Sequence, residues 1–128
     1  MRTQHTSHPV PSFPVFSCAF LTPDQFVVGG GGGASRSGIK NRLRLYHVTD
    51  DRQLKVVSEL ELEKGEDAPM SMAGDSENQS FICGINSTEE RLKKGDNENC
   101  RVFNASGDSI SQLNTKGTLF SGNPDDYQ

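Results

Sequence analysis

The chain has 128 residues, enough for one small domain, and 32% of them are hydrophobic. Typical domains contain ~45–50% apolar residues with glycine included, so only a modest core is expected. The net charge is −4, whereas nucleic-acid binders are generally basic, so we expect no nucleic-acid partner. No apolar run approaches the ~20 residues of a membrane helix, and the chain as given is expected to be soluble. Three cysteines without metal-ligand spacing suit a reducing compartment.

Short segments rich in β-branched and aromatic residues follow one another through the first half of the chain. Turn signals separate them, as at residues 22–24 and 49–51. No stretch shows the 3.6-residue period of an amphipathic helix. The pattern predicts four strands, at residues 14–21, 25–30, 42–48 and 55–62.

The same order of elements returns in the second half. Phe81 and Gly84 repeat Phe26 and Gly29 after about 55 residues, and a polar loop follows in each copy. The strands predicted here lie at residues 68–72, 80–84, 100–103 and 108–113. Four strands per copy at this period is typical of β-propeller blades. A small all-β sandwich of about eight strands is the alternative.

The repeat favours an all-β, WD40-like β-propeller, of which the chain would supply about two N-terminal blades. Propellers close with ~4–8 blades, so a larger propeller is expected. The expected divisions are a disordered N-terminus at residues 1–10, a first blade at 11–66 with a glycine-rich loop at 29–41, a second blade at 67–120, and the truncated start of a third blade at 121–128.

A run of five glycines ends the second predicted strand. A Walker phosphate loop would require Gly-Lys-Ser/Thr, but Gly38 is followed by Ile39, Lys40 and Asn41. A dinucleotide site would require a helix next, whereas a strand pattern follows. A flexible linker is less favoured because the run lies between two strands of one blade. Glycines at a strand end can instead bring carbonyl oxygens around a hard cation such as K⁺.

Three phrases carry a family resemblance: "FPVFSCAFLTPDQFVV", "GGGGGASRSGIKN" and "CGINSTEERLKKGDNENCRVF". The first two resemble the start of the ER-membrane guanine nucleotide exchange factors that activate the Sar-type GTPase of the COPII coat, the family of the prolactin regulatory element-binding protein. The third is similar to the fungal members, which read Gly-Ile-Asn-Ser at that place. The resemblance covers residues 11–128, nearly the whole chain.

The resemblance implies a seven-bladed propeller on the cytosolic face of the ER, anchored by a C-terminal membrane helix that this chain lacks. It implies a regulator without bond-making chemistry, whose first-blade loop binds potassium and loosens GDP from a Sar-family GTPase; no nucleotide is expected on this chain. Asn41 is implied as the residue most tied to exchange, with Ile39, Lys40 and Arg42 contacting the GTPase. The residues implied to shape the loop are Gly29, Gly30, Gly31, Gly32, Gly33 and Gly38, and Asp67 is the candidate acid at the ion.

Other interpretations of these residues stay open. Asn41 could be an ordinary turn asparagine before a strand, Asp67 a turn acid, and Lys40 and Arg42 parts of a solvated face. The chain could be a generic propeller scaffold without exchange activity, or a nucleotide-binding enzyme. His5, His8 and His47 do not cluster with other ligand residues at metal spacing.

Overall fold

The computed structural model describes residues 4–10, 13–33 and 38–117. These residues form two four-stranded antiparallel sheets. The strands are β1 (Val15–Thr22), β2 (Gln25–Gly30), β3 (Arg42–Val48), β4 (Leu54–Glu61), β5 (Ser71–Asp75), β6 (Ser80–Gly84), β7 (Cys100–Asn104) and β8 (Ser111–Lys116). The all-β prediction is confirmed, and the predicted strands match those observed to within a few residues.

Each sheet is a simple meander, with its strands in sequence order from β1 to β4 and from β5 to β8. Period-2 alternation explains the orientation of the sheets, because every second residue of a strand points to the same face. In β3, Leu43 and Leu45 are fully buried on the core face, whereas Arg42 and Arg44 on the other face are partly exposed, and in β7 Arg101 and Phe103 are buried. The Greek-key connections of a sandwich would carry the chain back and forth between the two sheets. Among the described strands, each sheet is instead formed by four consecutive strands.

The main core lies between the two sheets. It is built from apolar side chains that face inward from both halves, and Phe81 stacks on Phe103 with ring centroids 5.2 Å apart. Its buried members are Leu21, Val27, Leu43, Leu45, Phe81, Cys83, Ile85, Phe103, Ala105 and Ile110. Neither half can bury this face alone, so the two sheets stabilise each other.

The two sheets approach most closely along their first strands, β1 and β5. A Cβ at Gly74 would lie 2.8 Å from the carbonyl oxygen of Phe20 and 3.3 Å from the Cβ of Ala19. First strands that converge while the sheets pack face to face are the arrangement of blades around a propeller axis. The two sheets are thus neighbouring blades of a WD40-like β-propeller.

The N-terminal segment covers the other face of the first sheet. Residues 4–10, expected to be disordered, form no helix or strand, but Val10 packs with Phe13 against Val28 and Tyr46. The guanidinium of Arg44 lies 4.4 Å above the Phe13 ring, which is a cation–π contact.

The sequence pattern did not predict helix α1 (Glu89–Lys93), which lies in the loop between β6 and β7. Thr88 caps it by accepting a hydrogen bond from the backbone N–H of Arg91. Five residues are too few for an amphipathic period to be visible. Among the described residues, no helix is long and apolar enough to cross a membrane. The predicted start of a third blade lies outside the described residues.

Candidate functional site

The first two glycines of the run belong to strand β2 rather than to the loop. Gly29 pairs with Leu43 and Gly30 with Arg42. A Cβ at Gly30 would lie only 1.9 Å from the carbonyl oxygen of Pro14, and one at Gly29 would lie 2.7 Å from Cγ of Pro69. Real Cβ atoms do not approach other atoms so closely, so these glycines allow tight packing on both sides of the strand. The loop between β2 and β3 therefore covers residues 31–41, of which 34–37 are outside the described residues.

Asn41 lies at the base of this loop and is 7% exposed. Its Oδ1 accepts a hydrogen bond from the Gly33 N–H at 2.8 Å, and its Nδ2 donates to the Gly33 carbonyl at 2.9 Å. Nδ2 also donates to the carbonyl of Glu66 at 2.8 Å. The side-chain amide therefore links the two ends of the loop to each other and to the connector between the sheets. The left-handed backbone of Gly33, with φ of +74°, allows it to pair both its N–H and its carbonyl with one amide.

The residues before Asn41 form the exposed edge of the loop. Ile39 is 36% exposed, and its carbonyl accepts a hydrogen bond from the Gly32 N–H at 3.3 Å. The Lys40 side chain is mostly exposed and pairs with Glu61 at 3.2 Å, an interaction typically worth ~0–1 kcal/mol. Gly38 has space around its Cα and a φ of +82°. Gly38, Ile39 and Lys40 thus form one accessible edge.

Arg42, also expected to contact the GTPase, begins strand β3. Its Nε lies 3.3 Å from Oε1 of Glu59, and its side chain is 31% exposed. The other carboxylate oxygen of Glu59 pairs with Arg44 at 2.9 Å. Arg42 is therefore adjacent to the exposed edge but belongs to a charged ladder on the sheet.

Asp67 lies against the loop from the connector side. A Cβ at Gly33 would be 3.4 Å from Oδ1 of Asp67. That oxygen accepts from the Ala68 N–H at 2.8 Å, and Oδ2 accepts from Nδ2 of Asn86 at 3.4 Å. The site therefore combines one carboxylate with nearby carbonyls of Gly33 and Glu66.

This donor set fits a hard, weakly charged cation. Carboxylate and carbonyl oxygens are the ligands of such ions, and K⁺ can be held by carbonyls. Within the part of the chain that the structure describes, no three His, Cys, Asp or Glu side chains group as a transition-metal site would require. The residues that could hold potassium are Gly33, Glu66 and Asp67.

Two residues of this region were not predicted from the sequence, Glu66 and Arg101. Their side chains form a buried ion pair beneath the loop and are 7% and 6% exposed. One signal for Arg101 exists in the sequence, since strand alternation in "CRVF" places it on the same face as Phe103, toward the core. Nothing in the sequence indicates Glu66 as its partner.

The fold and the site define a class of protein: a WD40-like propeller in which the first blade carries an internally braced, glycine-rich loop. No family model matches the chain. The chain is 30% identical over 128 residues to the guanine nucleotide-exchange factor SEC12 of Candida glabrata. The match covers 96% of this chain and 28% of that protein. The resemblance inferred from the sequence is thereby confirmed: the chain is similar to a SEC12-type exchange factor over nearly all of its own length.

Proposed function

We propose that the chain is part of a guanine nucleotide exchange factor that promotes GDP release from a Sar-family small GTPase and so starts COPII vesicle budding at the ER. The similarity to a protein named as an exchange factor supports the activity. One structural observation carries the proposal: the glycine-rich loop is tied down at its base by Asn41 while Ile39 and Lys40 remain exposed at its edge.

A braced loop suits this activity for a thermodynamic reason. An exchange factor must bind the nucleotide-free GTPase more tightly than the GDP-bound form, because a ligand shifts an equilibrium only by its differential affinity. A loop that is already ordered loses less conformational entropy on binding, so more of the contact energy is available to displace the nucleotide. In this proposal the chain acts as a regulator, makes no covalent bond and binds no nucleotide itself.

Within this proposal the residues of the loop have different roles. Ile39 and Lys40 supply the contact with the GTPase, and Arg42 adds positive charge beside them. Among the described residues, the Asn41 side chain hydrogen-bonds to backbone atoms of Gly33 and Glu66 in its own chain. Asn41 therefore acts on exchange by holding the loop in shape, rather than by direct competition for polar groups of the GTPase.

We also propose that potassium binds between the loop and the connector, held by Asp67 and the carbonyls of Gly33 and Glu66. A bound cation would neutralise the Asp67 carboxylate and stiffen the loop.

We further propose that the protein acts at the cytosolic face of the ER membrane, where the family's membrane anchor would hold it.

The contact role can be tested with the double variant Ile39→Ala/Lys40→Ala in the full chain. Its matched control is Lys55→Ala/Val56→Ala, which also removes an exposed lysine and an exposed apolar side chain, but at the opposite end of the first sheet. Release of a fluorescent GDP analogue from a Sar-family GTPase is measured against the concentration of the variant. We expect about a tenfold loss for the loop variant and less than about a twofold change for the control.

An unchanged release rate in the loop variant would contradict the contact role. If the wild-type chain binds the GTPase but binds its GDP-bound and nucleotide-free forms equally well, the propeller is a scaffold and not an exchange factor.

The potassium proposal is tested by the same assay with KCl replaced by NaCl at equal ionic strength. We expect slower GDP release in NaCl, and equal rates would refute the role of the ion.

A further inference from the structure

A buried ion pair connects the second sheet to the glycine-rich loop of the first. Glu66 lies in the connector between β4 and β5, and Arg101 lies in β7 with its side chain directed into the core. Both side chains are more than nine-tenths buried. Such pairs are seldom retained for stability, because the cost of desolvating two charges offsets most of their attraction. A buried pair at this place therefore calls for another explanation.

The contacts of the pair hold Glu66 from several directions. One carboxylate oxygen pairs with Nη2 of Arg101, and the other accepts a hydrogen bond from the Glu63 N–H at 3.1 Å. Arg101 is itself fixed, since its Nε donates to the carbonyl of Glu98 at 3.0 Å. Both charged groups thus have partners on more than one side, and the Glu66 backbone has little freedom to move.

The fixed backbone of Glu66 is what the loop contacts. Its carbonyl accepts the hydrogen bond from Nδ2 of Asn41, and the same amide pairs with both backbone groups of Gly33. A continuous path of contacts therefore leads from Arg101 through Glu66 and Asn41 to Gly33. Each step is a hydrogen bond or an ion pair between groups of fixed direction.

We propose that Glu66 and Arg101 are positioning residues, through which the second blade sets the conformation of the first-blade loop. The inference rests on the proposed function for its effect on exchange, although its structural part stands independently. Shortening or discharging Arg101 frees the Glu66 carboxylate and lets the connector shift. Asn41 then loses a fixed acceptor, and Gly33 is held less well.

The structural part is tested with Arg101→Met in the full chain, with Phe103→Leu as the control. Phe103 lies two positions further along β7 and faces the same core, but its apolar side chain supplies no hydrogen bond or ion pair to the path. Amide hydrogen exchange of the Gly33 N–H, which donates to Asn41, is followed by NMR. We expect about a tenfold loss of protection at Gly33 in Arg101→Met, which is near the upper end of the range that one intramolecular hydrogen bond contributes. Phe103→Leu should lower protection in the core while leaving Gly33 within about twofold.

Unchanged protection of Gly33 in a folded Arg101→Met variant overturns the positioning role. Should that variant fail to fold, Glu66→Gln is used instead, because the amide can still accept from the Glu63 N–H while the charge attraction is lost. The same tenfold loss at Gly33 is expected for it, and unchanged protection again refutes the inference.

The functional part uses GDP release at several concentrations of each variant, corrected for the folded fraction. A purely structural defect reduces the active concentration and leaves the half-saturating concentration of folded protein unchanged. A mispositioned loop lowers the maximal rate of GDP release or raises the half-saturating concentration of folded protein. We expect one of these two quantities to change by about fivefold or more. Loss of Gly33 protection with normal GDP release would support the positioning role and refute the loop's function in exchange.

Discussion

Replacing Asn41 by alanine tests whether this side chain braces the loop. The substitution removes the three hydrogen bonds that the amide makes with Gly33 and Glu66. It also leaves the part-buried N–H and carbonyl of Gly33 and the buried carbonyl of Glu66 without this partner. If Asn41 were an ordinary exposed turn residue, the same change would have almost no effect on folding.

The expected magnitude follows from the number of bonds and from their burial. A net hydrogen bond contributes ~0.5–1.5 kcal/mol, and a buried donor or acceptor left unsatisfied costs ~1–3 kcal/mol. Water can enter beside the exposed loop edge and hydrogen-bond to some of the groups that lose their partner. The total cost in free energy therefore lies toward the lower end of the range that these values give. We expect Asn41→Ala to lower the free energy of unfolding by about 2–4 kcal/mol.

Urea denaturation of the full chain measures this change, and Lys40→Ala is the matched control. Lys40 is the preceding residue, and its ion pair with Glu61 is on the surface, so its loss should cost less than ~1 kcal/mol. Asn41→Asp adds a second test, since it keeps an acceptor for Gly33 but sets a carboxylate against two carbonyls. A cost below ~0.5 kcal/mol for Asn41→Ala would refute the bracing role.

Two further predictions concern packing and ionisation. Gly30→Ala would place a Cβ 1.9 Å from the carbonyl oxygen of Pro14, so the melting temperature should fall by more than for Gly84→Ala, whose Cβ would meet only the tip of a serine side chain. Burial raises the pKa of the Cys83 thiol to about 12, from 9.0. The unfolded chain therefore loses this proton first, and the free energy of unfolding should fall between pH 9 and pH 12 by up to ~1.4 kcal/mol per pH unit. Cys83→Ala should remove this part of the slope in alkaline denaturation, whereas alanine at the exposed Cys18 should leave it; equal slopes for all three proteins would contradict the burial effect.

The sequence was a good guide to the strands because their signal is local. Alternation and turn residues are visible within about six positions, and the internal repeat then gave the order of the two sheets. The short helix α1 was missed for the same reason, since its single turn depends on the Thr88 cap and not on a periodic apolar face. Gly29 and Gly30 were assigned both to the end of the second predicted strand and to the loop, because their packing against Pro69 and Pro14, which keeps them in the strand, cannot be inferred from the neighbouring sequence.

The site was less predictable because its contacts join distant parts of the chain. Asn41 was selected through a motif, yet its burial depends on Glu66, and Glu66 in turn depends on Arg101. Asp67 was selected through the family resemblance, as the acid at the ion site, and its distance to Gly33 could not be known before the connector was placed. The exposed positions of Ile39 and Lys40 could be expected from the sequence, but the hydrogen bonds that Gly32 and Gly33 make to Ile39 and Asn41 could not.

The buried position of Asn41 changes how a loss of activity at this residue would be interpreted. A residue that touches the GTPase and a residue that shapes the loop both lower exchange when they are truncated, so activity alone does not separate them. The two kinds of residue differ in their effect on the protection of the Gly33 amide from hydrogen exchange. Only a residue that shapes the loop changes this protection when the GTPase is absent. The order of effects expected here is that variants of Asn41, Glu66 and Arg101 lower both Gly33 protection and exchange, whereas variants of Ile39 and Lys40 lower exchange alone. Under the proposed function, the glycine run serves tight packing at its start and loop shape at its end, and the energy of contact with the GTPase would come from the two exposed side chains that precede Asn41.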